Sequence, residues 1–402
     1  MTACRKSFLK YMVTKELEIF LFIDALGWEL VSKTAFMEKE LPFRHRVEMQ
    51  FGYSSTAIPT ILSGKAPAVH GHLGLFRFAP KDSPFKGLGK IAPFMKPESF
   101  WNRGRVRHWL SKIVGKIYGF TGYFQLYQVP FRKLALMDYC EKNDLFAEHG
   151  MGDVENLRDL LVRENVPYHI SDWHGGDAKS FEAARQAIKD GAKFLFIYTA
   201  ELDALLHQYP VLVHDKIREK LAWYQREIEL LLKECSDSGR QFRLTVISDH
   251  GMTPLTKTVD VRSAIDGTGL VFGKDYGICY DSTLIRATFL SKEAEEKIRN
   301  ALRPFENEGH WLSEDEEKRY GIYRSDRYFG DAIFLMNPGV QIAPSDMGAR
   351  PLNGMHGFAP EDKDSQAVIL STDEIPDSVS RVADYFGLMK SRIEAMKNSK
   401  SS

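Results

Sequence analysis

Short apolar runs recur along the chain, and each is followed by polar residues. The first, at 18–24, reads Glu-Ile-Phe-Leu-Phe-Ile-Asp, and similar runs occupy 166–171, 193–199 and 242–248. Their length and apolar character predict buried strands. Helical spacing of apolar residues is found between them, at 179–190 and 213–233. We therefore predict an α/β fold with a mostly parallel central sheet flanked by helices, and ligands bound beyond the carboxyl ends of the strands.

The composition is that of an ordinary globular protein. Of 402 residues, 44% are hydrophobic and 27% are charged, which allows a sizeable buried core. Basic and acidic residues number 54 each, so no net charge attracts a nucleic acid polymer, and none is expected as a partner. The four cysteines lie far apart, which argues against a thiolate zinc site and fits a reducing compartment. No apolar stretch is long enough to span a bilayer, and no cleavable signal is evident, so we expect a cytoplasmic protein.

One segment differs from this average composition. Residues 84–134 hold ten lysines and arginines against one acid, Glu98, together with eleven aromatic residues. Such a segment can bind an anionic head group with an apolar tail, or lie on an acidic membrane surface as a peripheral contact. Alternatively, its aromatic residues form a small core of their own and its charges are solvated. Both interpretations remain open at this stage.

Aspartates and histidines stand where the predicted strands end. Asp203 and His207 have the i, i+4 spacing that places two side chains on one helical face, where both can bind one metal ion. Zinc accepts nitrogen and oxygen ligands, and two such ions about 4 Å apart can act together in displacement at phosphorus. Any one of these residues alone could be a helix cap or a packed side chain, but together they predict a metal site. The candidate ligands are Asp24, Asp203, His207, Asp249, His250 and His356.

Three consecutive hydroxyl residues precede an apolar helical pattern that stops at Gly64. They are Ser54, Ser55 and Thr56. At a helix N-terminus the backbone N–H groups and the helix dipole favour an anion and lower the pKa of a hydroxyl. A hydroxyl in this position that also contacts a metal ion is a candidate nucleophile, whereas the alternative is a simple helix cap.

These pieces together resemble the alkaline phosphatase superfamily and, within it, the type I phosphodiesterase/nucleotide pyrophosphatase family. The matching segments are Phe-Ile-Asp24-Ala-Leu-Gly, the block from Ser54 to Gly71, Glu-Leu-Asp203-Ala-Leu-Leu-His207, Ile-Ser-Asp249-His250-Gly-Met and Gly-Met-His356-Gly-Phe. They occur in the family's order between residues 18 and about 370. We therefore expect one catalytic domain over 1–402, with a disordered tail at 397–402.

The resemblance implies two divalent metal ions. One is held by Asp203, His207 and His356, and the other by Asp24, Asp249 and His250. Zinc suits these ligands, with manganese, iron and magnesium as alternatives. Counting back nine residues from Ser63, as the family's spacing requires, gives Ser54 as the nucleophile that bridges toward a metal, with Ser55 and Thr56 as alternatives in register. The implied reaction is hydrolysis of a phosphate diester through a phosphoseryl intermediate.

The basic and aromatic segment follows the nucleophile helix directly, so we expect 76–134 to be an insertion that caps the site. Its arginines Arg103, Arg105 and Arg107 are predicted to bind substrate, and the substrate is predicted to be a small-molecule phosphate ester, such as a lipid- or sugar-linked diester.

Other activities are compatible with the same residues. A sulfatase is excluded, because that family's Cys/Ser-x-Pro-x-Arg block is absent and positions 54–58 read Ser-Ser-Thr-Ala-Ile. A phosphomonoesterase or phosphonate hydrolase of the same superfamily remains an alternative. A non-catalytic metal-binding or membrane-surface module is a further one. The oligomeric state is not encoded in these motifs.

Overall fold

A computed structural model describes residues 15–95, 98–210 and 214–398. In this part of the chain the strands are β1 Leu17–Ile23, β2 Phe43–Val47, β3 Phe76–Phe78, β4 Met137–Tyr139, β5 Tyr168–Ile170, β6 Phe194–Thr199, β7 Phe242–Ile247, β8 Thr253–Pro254, β9 Lys257–Val259, β10 Tyr276–Tyr280, β11 Leu284–Phe289, β12 Gly309–Trp311, β13 Ala332–Met336, β14 Val340–Ile342, β15 Gly354–Met355 and β16 Ala367–Ser371.

The α-helices of the same residues are α1 Trp28–Thr34, α2 Ser54–Ser63, α3 Pro67–His70, α4 Leu88–Ile91, α5 Glu98–Trp101, α6 Gly104–Tyr118, α7 Phe131–Leu134, α8 Leu157–Arg163, α9 Asp177–Lys189, α10 Glu201–Gln208, α11 Asp215–Asp237, α12 Val261–Asp266, α13 Lys292–Leu302, α14 Glu314–Arg319 and α15 Asp384–Asn398. The helices predicted at 179–190 and 213–233 correspond to α9 and α11, and position 213 lies outside the described residues. No described helix is long and apolar enough to cross a membrane.

The predicted mostly parallel sheet is confirmed. Six strands lie in the order β2-β16-β7-β1-β6-β5. β1 pairs in parallel with β6 and β7, and β5 pairs in parallel with β6, whereas β16 runs antiparallel to both of its neighbours. All four apolar runs that the sequence analysis identified therefore contribute adjacent parallel strands, which places their carboxyl ends along one edge.

Both faces of the central sheet are covered by helices. Every residue of β1 is buried. Side chains such as Ile19 and Leu21 pack with α9 and α11, while Phe20 and Phe22 point to the other face and pack with α8 and α15. Burial on both faces explains why β1 is a continuous apolar run without alternation.

A second sheet was not predicted. It is antiparallel, with the order β10-β11-β13-β12, and it has its own core with α12 and α13. All five residues of β10 and all five of β13 are buried, so these strands lack the period-two pattern that identifies a half-exposed strand.

The segment predicted as a cap insertion, 76–134, begins with β3, and the chain returns along β4. These two strands pair antiparallel, with Phe76 opposite Tyr139 and Phe78 opposite Met137. Between them, α6 and the neighbouring short helices enclose a core that includes Phe85 and Leu126. The predicted tail, 397–402, starts within α15, and residues 399–402 lie outside the described part of the chain.

Candidate active site

The candidate metal ligands meet at the carboxyl ends of three neighbouring strands. Asp24 directly follows β1, α10 follows β6, and the Asp249-His250 pair follows β7. β15 pairs with β8, which brings the segment carrying His356 beside the residues that follow His250. A cavity of about 530 Å³ opens at this edge of the sheet.

The first group of ligands consists of Asp203, His207 and His356. Asp203 and His207 lie one turn apart on α10, as predicted, and the His207 Nε2 atom is 3.4 Å from Asp203 Oδ2. The other ring nitrogen of His207 lies 2.9 Å from the Gly354 carbonyl oxygen, to which it can donate. That bond turns Nε2 toward Asp203, leaving it available to bind a cation.

The second group consists of Asp24, Asp249 and His250. His250 Nε2 is 3.1 Å from Asp249 Oδ2 and 3.6 Å from Asp24 Oδ1. Its Nδ1 atom lies 2.8 Å from the Gly251 carbonyl oxygen, an arrangement that again fixes the ring orientation. The backbone N–H groups of Ala25 and His250 both donate to Asp249 Oδ1.

The two groups adjoin, because the rings of His250 and His356 stack with centroids 3.7 Å apart. Within the described residues, three buried carboxylate oxygens of the groups lack a hydrogen-bond partner: Asp24 Oδ1, Asp203 Oδ1 and Asp249 Oδ2. Buried carboxylates without partners are costly unless a cation neutralises them. The donor set of carboxylate oxygens and imidazole nitrogens therefore fits divalent metal ions.

The pKa values of two ligand residues are shifted by burial and by the charged groups beside them. Burial, with repulsion from Asp249 and Asp203, raises the pKa of Asp24 well above its ordinary range. Burial also lowers the pKa of His356 well below that of a free histidine, and the neighbouring His250 adds to the effect. A neutral imidazole is the form that binds metal.

Ser54 lies beside the second group, next to the ring of His250 that stacks on His356. It is the first residue of α2, and its Oγ atom is 3.0 Å from His250 Nε2. Ser55 also lines the cavity, whereas Thr56 is fully buried and its hydroxyl accepts a hydrogen bond from the Gly74 backbone. Of the three candidate hydroxyls, Ser54 is therefore the one bonded to a member of the metal-ligand groups.

Tyr53, the residue before α2, holds this helix end in place. Its hydroxyl lies 2.7 Å from Thr283 Oγ1, and Thr283 in turn donates to the Gly357 carbonyl. Gly357 has φ +89°, and a Cβ atom there would lie 2.7 Å from the Tyr53 ring. Only glycine fits both constraints, so the residue after His356 is fixed by its contact with Tyr53.

The remaining wall of the cavity includes residues that sequence reasoning did not assign to the site. Two tyrosines of the insertion, Tyr123 and Tyr127, contribute to it, together with Glu141 and Trp173. Glu141 follows β4, a strand of three residues with no distinctive pattern, so no sequence signal marked it. The two tyrosines belong to the basic and aromatic segment 84–134, but the sequence analysis predicted substrate binding for the arginines of that segment and not for its tyrosines.

The three arginines predicted to bind substrate do not line this cavity. Arg103 and Arg105 are exposed at the start of α6. Arg107 is buried within the insertion, where its guanidinium donates to the carbonyls of Trp101 and Val129. Its positive charge thus helps to hold the insertion together, and the geometry gives none of the three a contact with the metal-ligand groups.

Comparisons with known proteins identify the family and the fold of the chain. The family model described as type I phosphodiesterase/nucleotide pyrophosphatase matches residues 19–359. Murine ectonucleotide pyrophosphatase/phosphodiesterase 5, solved as an inactive threonine-to-alanine variant in complex with AMP, has a TM-score of 0.63 and 15% identity, covering 94% of this chain and 95% of that chain. The human protein of the same name has a TM-score of 0.63 and 12% identity at the same coverage. A comparison with curated protein sequences gave no match.

The solved structures establish a shared fold, and the family model covers most of the chain, including all the candidate ligands. This family is typically metal-dependent, in keeping with the two ligand groups. The chain belongs to the type I phosphodiesterase/nucleotide pyrophosphatase family, a group of phosphoric ester hydrolases.

Proposed function

We propose that the protein hydrolyses a phosphate diester with Ser54 as nucleophile, through a phosphoseryl intermediate, at a site that holds two divalent metal ions, zinc by preference. The observation that carries this proposal is the position of Ser54 Oγ, 3.0 Å from His250 Nε2 beside the second ligand group. Bound metal ions would stabilise negative charge on the attacking and leaving oxygens.

The chain's own residues contribute binding and orientation. Tyr53 has no side-chain cap bond to α2, and its carbonyl accepts from the Thr56 and Ala57 backbone N–H groups, so the N–H groups of Ser54 and Ser55 are the ones available to an anion. Because His250 Nδ1 faces the Gly251 carbonyl, the lone pair of Nε2 is the one that would bind a cation, and a cation held there would lie beside Ser54 Oγ and favour loss of its proton. A phosphoryl group placed there meets the nucleophile and the helix N-terminus together.

The size of the cavity supports a diester rather than a bare phosphate as substrate. Its volume of about 530 Å³ extends from the ligand groups to the aromatic residues of the insertion. This is enough for an ester group of a small molecule beside the phosphate. The AMP in the complex of the murine protein is a phosphorylated small molecule of this size class. A lipid- or sugar-linked diester remains within the proposal.

The test compares kcat/KM for bis-p-nitrophenyl phosphate and p-nitrophenyl phosphate on zinc-loaded protein. We expect the diester to be preferred. Ser54→Ala should lower kcat by at least about a thousandfold, because the nucleophile is removed, while the matched variant Ser55→Ala should lose far less.

Other outcomes would redirect the assignment. Preference for the monoester would indicate a phosphatase. Activity that survives in Ser54→Ala and disappears in Ser55→Ala would identify Ser55 as the nucleophile instead of Ser54. If metal-loaded protein hydrolyses no aryl phosphate ester, the fold serves a non-catalytic metal-binding role instead.

A further inference from the structure

Two helix N-termini meet close to the first ligand group. One belongs to α10, which carries the ligands Asp203 and His207. This helix begins at Glu201, and its N-cap residue, Ala200, has no side chain that could accept a hydrogen bond. The other belongs to α9, which begins at Asp177. The first backbone N–H groups of a helix have no partner within it, so both ends need acceptors from elsewhere.

The Asp177 carboxylate supplies the acceptor for α10. Its Oδ1 atom accepts from the backbone N–H groups of Ala200, at 2.9 Å, and of Glu201, at 3.4 Å. The contact is mutual, because the Asp177 backbone N–H donates to Glu201 Oε1 at 3.2 Å. A capping box makes this exchange within one helix, whereas here it joins two helices. The pair of Asp177 and Glu201 is here termed the reciprocal cap.

The second oxygen of Asp177 is engaged as well. The Tyr224 hydroxyl donates to Asp177 Oδ2, and Lys220 Nζ lies 2.9 Å from the same oxygen. Lys220 Nζ also lies 2.7 Å from Glu201 Oε2, so one cation joins both acids of the cap. Asp177 is 2% exposed and Tyr224 is fully buried. A buried carboxylate with donors on both oxygens is held in one place, because moving it would leave its charge unpaired.

Packing and capping constrain α10 in different directions. Leu202 and Leu206 are buried in the core on one face of the central sheet, which fixes the side of the helix that faces inward. Apolar contacts are non-directional and permit small shifts along the helix axis. The hydrogen bonds to Asp177 are directional and act at the end of the helix, so they set its position along that axis.

The position of α10 along its axis decides where its two ligands lie. Asp203 Oδ2 is 3.4 Å from His207 Nε2, and Asp203 Oδ1 is 3.6 Å from His356 Nε2. Because His356 belongs to a different segment, any shift of α10 changes its distance from Asp203. Zinc ligands lie at about 2.0 to 2.2 Å from the ion, with a tolerance of about 0.2 Å. A small axial shift is therefore enough to weaken this group.

We propose that the reciprocal cap, joined by Lys220, positions α10 so that the first ligand group can hold one divalent metal ion. Asp177 is a positioning residue, because it belongs to neither ligand group and acts through the helix that carries Asp203 and His207. This inference rests on the proposed function, since that function places a metal ion in the first ligand group.

The test measures the zinc affinity of each ligand group separately, by competition with a chromophoric chelator. Asp249→Ala leaves the first group as the complete one, and His356→Ala leaves the second. In the Asp249→Ala background, Asp177→Ala should lower the zinc affinity at least about tenfold, as loss of groups that orient metal ligands does. In the His356→Ala background, the same substitution should change the zinc affinity less than about twofold.

Asp260→Ala is the matched control. Asp260 caps the N-terminus of α12 by accepting from the Ser263 backbone, and it is exposed. Its loss removes a carboxylate cap from a different helix and should leave the zinc affinity of both groups unchanged. Asp177→Asn is the milder variant, because it keeps an acceptor for α10 while placing an amide beside Lys220. It should weaken the first group by less than Asp177→Ala, and it provides the measurement if the alanine variant does not fold.

Two results would overturn the reciprocal cap as a positioning device. An equal loss of zinc affinity in both backgrounds would show that Asp177 supports the fold as a whole. Unchanged affinity in both would show that α10 keeps its place without it. Failure of the proposed function has a different signature. A wild-type chain that binds no zinc removes the proposed function and this inference together, whereas a chain that binds zinc with the expected affinities but hydrolyses no phosphate ester loses only the proposed function.

Discussion

Glu141 links the chemistry of the cavity wall to the stability of the whole chain. Burial raises the pKa of this carboxyl from 4.5 to about 8. Between these two values the folded protein keeps a proton that the unfolded chain has lost. The free energy of unfolding must therefore fall as the pH rises through this window, and this contribution is fully present only below about pH 4.5.

We expect Glu141→Gln to remove this pH dependence, because glutamine does not titrate. The free energy of unfolding of the variant minus that of the wild type should increase by about 2 to 4 kcal/mol between pH 4.5 and pH 8. This difference is measured by urea unfolding at both pH values, with the same metal loading for the variant and the wild type. Glu148→Gln serves as the control, since its side chain is exposed and the difference should stay constant. A constant difference for Glu141→Gln as well would show that this carboxyl titrates normally.

Residues differ in how far the sequence reveals them. Asp24, Asp203 and His356 could be predicted because each stands in a short motif shortly after a strand, and the structure places each in one of the two ligand groups. Glu141 could not, because its importance comes from what surrounds it in three dimensions. Arg107 shows the converse, since its charge suggested substrate binding while the fold uses it for packing.

Helix α6 combines a buried side with a basic and aromatic exposed side. Its inner side, with Ser111 and Val114, is buried in the insertion's own core. Its outer side exposes Trp109, which is 60% exposed. Arg105 lies four residues before Trp109, and Lys112 and Lys116 lie three and seven residues after it. At these helical spacings all three basic residues are on the same side of α6 as this tryptophan.

A tryptophan among cations suits the head-group region of an anionic bilayer. We expect the protein to co-sediment with phosphatidylglycerol vesicles and not with phosphatidylcholine vesicles. The triple variant Trp109→Ala, Lys112→Glu, Lys116→Glu should lower the partition coefficient by at least about tenfold. Lys189→Glu combined with Lys233→Glu makes the same charge change on other helices and should have little effect. An equal loss of vesicle binding in both variants would show that the interaction depends on net charge alone.

Strands were predictable where burial on both sheet faces leaves a continuous apolar run, as in β1, β6 and β7. β2 was missed because it lies at the edge of the sheet and reads Phe-Arg-His-Arg-Val, with four of its five residues at least partly exposed. Burial does not explain why the antiparallel sheet was missed, since β13 reads Ala-Ile-Phe-Leu-Met and is as continuous an apolar run as β1. Its strands lie outside the alternation of strands and helices from which the parallel sheet was predicted. Local pattern thus identifies the strands that carry the ligands better than those that support them.

Across the whole molecule, each ligand group joins segments that are far apart in sequence. One group links α10 to the segment after β15, and the other links the ends of β1 and β7. The sequence could predict this assembly only through the order of its motifs, because no local pattern encodes which distant segments meet. Metal binding should accordingly stabilise the entire fold and not a single element.

Removal of metal should therefore lower the melting temperature. An ion present at 100 times its dissociation constant contributes about 2.7 kcal/mol, so two ions should shift the melting temperature by about 6 °C. Calorimetry with chelator, followed by return of zinc or manganese, tests this, and elemental analysis should find two ions per chain. His356→Ala should bind about one ion fewer and show a smaller shift. An unchanged melting temperature after verified metal removal would contradict the linkage.

The pairing of β3 with β4 also bears on how such proteins diverge. The Ala79 amide donates to the Leu136 carbonyl at 2.9 Å, so the chain leaves the catalytic body and returns to it at adjacent positions. Because the two crossing points are adjacent, we expect a change in the length of this segment to leave Ser54 and the ligand groups in place. We therefore expect related chains to carry segments of other lengths between the same two strands, so that acceptance of substrates changes separately from the ability to cleave phosphate esters.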